Sequence, residues 1–503
     1  MSSVKFATQL QNRLWRPKWT YHILSLEELG QGMIDIRKNY QWKIITTLII
    51  TLCLFGIGYL GNRSHIIRRI RNFSTINFMI SKSYISTALL PQSVKKAETY
   101  LERDLTPAAG LIFFVRNYID LNYGGNGKPG WVRAGDMNND GDLDIVVGGG
   151  DALFVYENSG SAEGWMRYGN LDSTGKMGAN AAVLYDVDRD TDLDVVSAKK
   201  DGNLGWWKNP GGPLSNTPWT FHKLSGESWF LHDIILADLD QDGVAEEFVA
   251  NLNQGYWDAK IKIKWFRPGT NPTQLWEAHT IESNRNEGPP HGHAGMDIGD
   301  VDRDGNVDLA YGNGWYEAPD DPAGTWTWHE VTDLYGISNT FLRDMDDDGD
   351  LDLIVSAGHH GYGVYWFAAP PDPITGSWTQ NEIDSQVHHP ECLEVLDLDD
   401  DNDLDIVTCD LFFGEALGEP DWNEEVHNVY VYKNLGSSTS WSKYNIAPNS
   451  YPSHLLQTVD INQDGLIDII SEGAGYSSVS YYEHLNLEPH IWLPIMQKSN
   501  TPF

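Results

Sequence analysis

The sequence predicts an all-β chain, a seven-bladed β-propeller preceded by a basic N-terminal segment with one transmembrane or signal-anchor helix, and three observations predict it. A nine-residue acidic loop close to DxDxDGxxD recurs seven times, starting at Asp136, Asp186, Asp238, Asp300, Asp344, Asp397 and Asp460. Successive starts lie 50, 52, 62, 44, 53 and 63 residues apart, the interval of a supersecondary repeat and not of a heptad. Each loop has the same followers, which supply the strands of one blade.

The first follower is a β-branched run such as LDIVVGG, LDVVSAK or LDLIVSAG, short and apolar enough to be a buried strand. Next comes an aromatic strand, as in GWWKN, IKWFR and VYVYK, and then a half-polar segment close to Wxx[HYN]xI, as at Trp219, Trp276, Trp326, Trp378 and Trp441. With the short strand that enters the loop, each unit has four strands, the last suited to an outer edge. After Ser480 no such outer segment follows, but FVRNYI at Phe114–Ile119 fits the pattern. An N-terminal strand that completes the last blade would close the ring and remove its open edges.

The loops read as metal sites. Carboxylate or amide oxygens at positions 1, 3, 5 and 9, with a carbonyl at 7, suit a hard cation of six to eight oxygen ligands, and Gly at 6 permits the turn. The ligand sets are Asp136, Asn138, Asp140 and Asp144; Asp186, Asp188, Asp190 and Asp194; Asp238, Asp240, Asp242 and Glu246; Asp300, Asp302, Asp304 and Asp308. The others are Asp344, Asp346, Asp348 and Asp352; Asp397, Asp399, Asp401 and Asp405; Asp460, Asn462, Asp464 and Asp468. Calcium is the expected ion, up to seven in number, because magnesium prefers a small octahedral shell that keeps its waters. An EF-hand is excluded, since a strand follows each loop and no Glu stands at position 12 with a helix after it. Loops 2 and 6 depart from the pattern, with Thr191 and Asn402 in place of Gly, and loop 3 ends in the longer Glu246.

These repeats resemble the FG-GAP or VCBS class of calcium-loop propellers, which includes the integrin α head and many bacterial surface proteins. The resemblance spans about residues 108–484. It implies a fold that hosts adhesion domains, lectins and sugar lyases or dehydratases alike, so the function must come from a site. By analogy with integrin-like propellers, ligands are expected on the face opposite the calcium loops.

That face gathers Asn180, His232, His293, Asn339, Glu391 and His454, five to seven residues ahead of their loops near the channel mouth. Candidate catalytic residues are His232, His293, Glu391 and His454, which could hold an additional divalent cation or act as general bases. The alternative is that each caps its own crossover. Candidate ligand contacts are Tyr256 and Trp257, His359 and His360, His388 and His389, and Trp422 in the long segment 410–428. Two functions follow: a propeller that binds a glycan or an extracellular protein, or a carbohydrate-active lyase or dehydratase that abstracts a proton with His beside a bound cation.

Charge divides the chain. Residues 1–100 carry 14 Lys and Arg against 4 acids, whereas the remainder carries 21 against 67. So acidic a propeller excludes nucleic acid as a partner. The run 44–60 is 17 residues, apolar and uncharged, the short end of a membrane-spanning helix or the core of a cleaved leader. We therefore expect a basic segment at 1–43, the apolar helix at 44–60, a juxtamembrane helix and tether at 61–107 and a tail at 485–503. Flanking bases lean toward a cytoplasmic propeller, but low-affinity calcium loops fill at extracellular concentrations, which favours a membrane-anchored extracellular propeller, or a secreted one if the segment is cleaved. Cys392 and Cys409 stand nearly opposite across a hairpin, one residue out of register, as a disulfide or as two buried thiols.

Overall fold

The computed structural model describes residues 112–485 apart from 124–128, 161, 163, 173, 254–259, 287–294, 335, 359–361, 411–427, 448–454 and 474–477. The segments expected at 1–43, 44–60 and 61–107 and the tail from 486 lie outside the described residues. Among the described residues no helix is long and apolar enough to cross a membrane.

The described strands form seven antiparallel sheets of four. Blade 1 holds β2 (Trp131–Gly135), β3 (Asp144–Gly149), β4 (Ala152–Glu157) and β5 (Met166–Tyr168), and blade 2 holds β6 (Val183–Tyr185), β7 (Asp194–Ala198), β8 (Asn203–Lys208) and β9 (Thr220–Ser228). Blade 3 comprises β10 (Phe230–Ala237), β11 (Glu247–Asn253), β12 (Lys260–Arg267) and β13 (Glu277–Asn286). Blade 4 comprises β14 (Met296–Gly299), β15 (Asp308–Tyr311), β16 (Gly314–Glu317) and β17 (Thr327–Glu330). Blade 5 follows as β18 (Asn339–Arg343), β19 (Asp352–Ser356), β20 (Tyr362–Ala368) and β21 (Thr379–His388), and blade 6 as β22 (Pro390–Leu396), β23 (Asp405–Asp410), β24 (Val429–Asn434) and β25 (Trp441–Asn445). Blade 7 joins β26 (Leu456–Val459), β27 (Asp468–Gly473) and β28 (Ser478–His484) to β1 (Phe114–Asp120). Phe114 pairs with His484 and Tyr118 with Ser480, so the first strand closes the last blade.

Why these strands pack as blades is visible in their burial. The second strand of a blade is covered on both faces, as in β3 and β7, because a neighbouring blade lies against each side. Its sequence is therefore continuously apolar and not alternating. The core divides into seven apolar clusters that fall at the blade interfaces; Trp131, Met137, Val195 and Trp207 fill the one between blades 1 and 2.

In blades 3 and 4 the recurring Trp of the Wxx[HYN]xI segment has a specific task. Pro272 O accepts the indole N–H of Trp276 in its own blade at 2.9 Å and that of Trp206 from blade 2 at 3.2 Å. Pro322 O accepts Trp326 and Trp265 in the same way, at 3.0 Å each. One carbonyl thus ties two tryptophans of adjacent blades, and burying an indole with its donor satisfied avoids the penalty of an orphaned N–H. The His of the motif stacks on the same layer, with Trp265–His279 centroids 4.3 Å apart and Trp315–His329 4.6 Å apart.

The innermost strands ring an axial channel lined by charge. Asp233 accepts the Met296 N–H at 2.9 Å and Asp297 the Leu342 N–H at 3.0 Å, each one blade onward. Arg343 pairs with Asp297 at 2.7 Å, and Arg133 faces both Asp233 and Glu394 across the axis. In blade 6, Cys392 and Cys409 are direct register partners, 5.5 Å apart at Cα, and form a buried disulfide. The expected one-residue offset is thereby corrected: the acidic loop pairs Leu396 with Asp405, so the hairpin runs in a register that sets Cys392 level with Cys409, and β22 shifts only beyond them, between Pro390 and Cys392.

Candidate metal centres and the opposite face

All seven acidic loops adopt one backbone, held by their own side chains. The position-1 carboxylate accepts the N–H of position 6, as in Gly141 to Asp136 at 2.9 Å, Gly349 to Asp344 at 2.9 Å and Gly465 to Asp460 at 2.9 Å. The position-5 carboxylate accepts the N–H of position 7, as in Asp142 to Asp140 at 3.0 Å and Asn306 to Asp304 at 2.7 Å. The position-9 carboxylate is buried and spans two elements: Asp144 accepts Met137 N–H at 3.0 Å and Asn158 N–H at 2.9 Å. Burial pushes the carboxyls of Asp144, Asp308, Asp352, Asp405 and Asp468 up to about 7 and that of Asp194 to about 8. A carboxylate so placed ionises readily only beside a cation.

Position 6 takes a left-handed backbone even where Gly is missing, with φ of 80° at Thr191 and 70° at Asn402 against 93° at Gly141. In loop 3 the position-9 role falls to Glu247 and not to Glu246. Glu247 pairs with Ala237 as Asp144 pairs with Gly135, and it accepts the Leu239 N–H at 2.9 Å. The extra residue carries the ladder one step further, which leaves Glu246 outside, bound to Arg189 at 2.6 Å.

Position 4 was silent in the sequence and is the residue that links the loops. It has φ between 57° and 62° in every copy, from Asn139 to Gln463. From there Asn139 reaches Asp192 at 2.7 Å, Arg189 reaches Glu246, Gln241 reaches Gly305 O at 2.5 Å, Arg303 pairs with Asp350 and Gln463 reaches Gly141 O at 2.7 Å. Long polar side chains at a non-Gly, non-β-branched position were the available signal.

Several of these loops fit a divalent cation. Ligand oxygens of Asp300, Asp302 and Asp304, of Asp344, Asp346 and Asp348, of Asp186, Asp188 and Asp194, of Asp238, Asp240 and Glu247, and of Asp397, Asp399 and Asp405 each lie within 4.8 Å of one another. Asp300 Oδ1 is buried with no hydrogen-bond partner, the condition of an oxygen aimed at an ion; Asp188 Oδ1 and Asp399 Oδ1 are likewise buried, but the other oxygen of each carboxylate holds a lysine. Burial and the neighbouring acids, Asp304 and Asp348 foremost, raise the carboxyls of Asp302 and Asp346. At Asp190 and Asp401 burial acts the same way but is outweighed by Lys208 and Lys433, which hold them low.

The opposite face is uneven. The strands of blade 3 run to 8, 7, 8 and 10 residues, whereas those of blade 4 have 4 each. Both blades start level at their acidic loops, Ala237 opposite Glu247 and Gly299 opposite Asp308. The paired part of blade 3 therefore extends further toward the crossover side by about four residues, roughly 13 Å at strand rise. Near its top Lys262 and Lys264 bond Glu227 of β9 at 3.3 and 2.7 Å, and the Trp229 indole N–H joins them at 2.7 Å. These lysine side chains are 19 % and 12 % exposed and Glu227 is 46 % exposed. The Lys264 ammonium, ahead of burial, holds Glu227 at about 2. On the other side of the same blade, the Arg285 guanidinium lies 3.3 Å from the Trp328 ring centre.

Of the predicted ligand contacts, His388 packs edge-on to the exposed Tyr362, centroids 4.7 Å apart, and His389 lies 6.1 Å from the same ring. His389 has a φ of 46° and its Nδ1 meets Gly358 O at 3.0 Å. His232 Nε2 lies 3.4 Å from Asn180 Nδ2 of the preceding blade, and Asn339 donates to Glu391 O of the next. Tyr256, Trp257, His293, His359, His360, Trp422 and His454 lie outside the described residues.

Comparison with known proteins agrees with this architecture. The family model of the FG-GAP-like repeat matches residues 136–197 and 186–249, so the chain carries FG-GAP-like repeats within a seven-bladed β-propeller. No curated protein matches the chain. Among solved structures, an Agrocybe aegerita lectin that recognises non-reducing terminal N-acetylglucosamine is similar at 16% identity, covering 72% of this chain and 86% of that one, with a TM-score of 0.43. The exotype rhamnogalacturonan lyase YesX gives 12% identity, 75% coverage of both chains and 0.42. BBS1N, solved in complex with ARL6DN, gives 10% identity, 75% and 98% coverage and 0.46. None of the three bears on ligand or mechanism here.

Proposed function

We propose that this chain is a calcium-loaded propeller, exported and tethered by its N-terminal segment or released from it, that binds a glycan or an extracellular protein on the face opposite the acidic loops. The observation that carries the reading is the unequal height of the blades on that face. A raised blade 3 whose Lys262 and Lys264 meet Glu227 of blade 2 beside Trp229, and an exposed Tyr362 beside His388, offer hydrogen-bond donors, acceptors and a ring face to a polar ligand. Glycans suit that mixture best. The buried Cys392–Cys409 disulfide supports an oxidising compartment. The contacts of His232 with Asn180 and of Asn339 with the Glu391 backbone support blade-to-blade capping at the channel mouth, and so favour binding over the lyase or dehydratase alternative.

The test is a glycan array probed with the calcium-saturated full chain, followed by titration of the best ligand. A restricted set of glycans should bind, and Lys262→Ala with Lys264→Ala, or Tyr362→Ala, should weaken binding about tenfold, near 1.4 kcal/mol, with melting unchanged. An array without signal, or variants that bind as the parent does, would overturn the reading.

A further inference from the structure

The seven loops share a backbone but not a lid. The residue before the N–H that caps each position-9 carboxylate overhangs the loop from the third strand, and it changes from blade to blade. It is Glu157, Lys208, Glu317, Ala368, Lys433 and Glu483 in blades 1, 2, 4, 5, 6 and 7, a register fixed by the bonds from Asn158, Asn209, Ala318, Ala369, Asn434 and His484. Arg267 ends the corresponding strand in blade 3.

Where the overhanging residue is basic, it already occupies the ligand oxygens. Lys208 Nζ bonds Asp188 and lies 2.7 Å from Asp190; Lys433 Nζ bonds Asp399 and lies 3.0 Å from Asp401. Arg267 bonds Glu247 and reaches Asp240 at 2.5 Å. These are the position-3, position-5 and position-9 groups that a calcium ion would need at 2.3–2.6 Å. Where the residue is acidic it adds to the site instead: Glu157 accepts from Asn138 at 3.1 Å, and Glu317 is among the charges acting on Asp302. The basic lids coincide with the three loops that depart from the repeat, loops 2 and 6 with Thr191 and Asn402 for Gly, and loop 3 with Glu247 in the shifted final position.

We propose that loops 2, 3 and 6 are closed by their own cations and take no calcium, whereas loops 1, 4, 5 and 7 take one ion each. The clustering of oxygens in loops 2, 3 and 6 is then the work of an internal ammonium or guanidinium, which repels a divalent ion at the distance where it would sit. In loops 4 and 5 the oxygens converge, and among the described residues no Lys or Arg is bonded to them, Arg303 engaging Asp350 instead. Relaxed backbone requirements follow, because a loop that holds no metal tolerates a strained position 6.

This division rests on the calcium reading of the loops, and calcium stoichiometry tests both separately. Calorimetric titration of the calcium-stripped full chain should give four ions. Lys208→Gln with Lys433→Gln should raise the number to six and should lower the melting temperature in chelator, where the parent keeps its internal cations. Should that pair of substitutions prevent folding, Glu317→Lys serves instead and should reduce four ions to three. Seven ions in the parent, or four in both the parent and the lysine variant, would overturn the division. No binding at all would remove the calcium reading and the division with it.

Discussion

The two faces of this propeller are made by the same strands and obey different rules. On the loop face seven copies of one turn repeat with the same hydrogen bonds, and side chains at position 4 pass from loop to loop. On the crossover face the described blades differ: blade 3 stands high, blade 4 stops short, and the crossovers range from the single residue Trp229 or His389 to the long path between β5 and β6. Repetition serves a cost shared by all blades, the stabilisation of concentrated carboxylates. Under the proposed function, variation on the other face would suit a site that only one ligand needs to fit.

Removing calcium should separate the faces most sharply. Uncompensated carboxylates on the loop face destabilise the ring, and each ion held at a thousandfold excess over its Kd contributes about 4 kcal/mol. We expect chelator to lower the melting temperature by about 10 °C or more, with ligand affinity lost only as the fold is lost. A midpoint indifferent to chelator would mean that the loops are plain turns and that the contrast is one of shape alone.

A smaller effect should arise on the axis between the faces. Burial in the channel pushes the Glu394 carboxyl up to about 7 from its ordinary 4.5, despite the opposing field of Arg133. The folded state holds this proton more tightly than the unfolded chain does, so stability should decline as pH rises from about 4.5 to about 7. The size is of the order of 3.5 kcal/mol at roughly 1.4 kcal/mol per pH unit. Denaturant titrations of the calcium-saturated protein across that range should show the slope, to which Asp194 and Asp405 also contribute, and Glu394→Gln should reduce it by the share of one group; an equal slope in the variant would place the titration elsewhere.

The smallest effect sharpens the loop face itself. Thr191 holds a φ of 80°, which costs a β-branched residue more than it costs Gly. Thr191→Gly should stabilise by roughly 0.5 to 1 kcal/mol after the added entropy of the unfolded chain is counted. A loss of stability on equilibrium unfolding would show that the threonine side chain contributes more than its backbone costs.

The fold was legible because a blade is a local object: loop, buried run, aromatic strand and outer strand follow one another within some fifty residues. Phe114–Ile119 could be assigned to the last blade since the missing outer strand had a recognisable sequence. Glu247 was not legible, because adjacent glutamates differ only in which one the ladder turns inward. Nor were the lids, since Lys208 and Lys433 belong to an aromatic strand whose distance from its own loop along the chain hides their place above it. The crossover face resisted most, as it has no repeat to compare against.

The pairing of β1 with β28 also sets the order in which the molecule can be completed. Arg116 meets Ser480, 364 positions further along the chain. Bringing such distant segments together costs roughly 5 kcal/mol of loop-closure entropy unless the intervening blades have already folded and carry the ends to one another. The first of the described strands to leave the ribosome must then wait, unpaired, for the last. Blade 7 is the seam of the ring, complete only when both ends of the propeller have met.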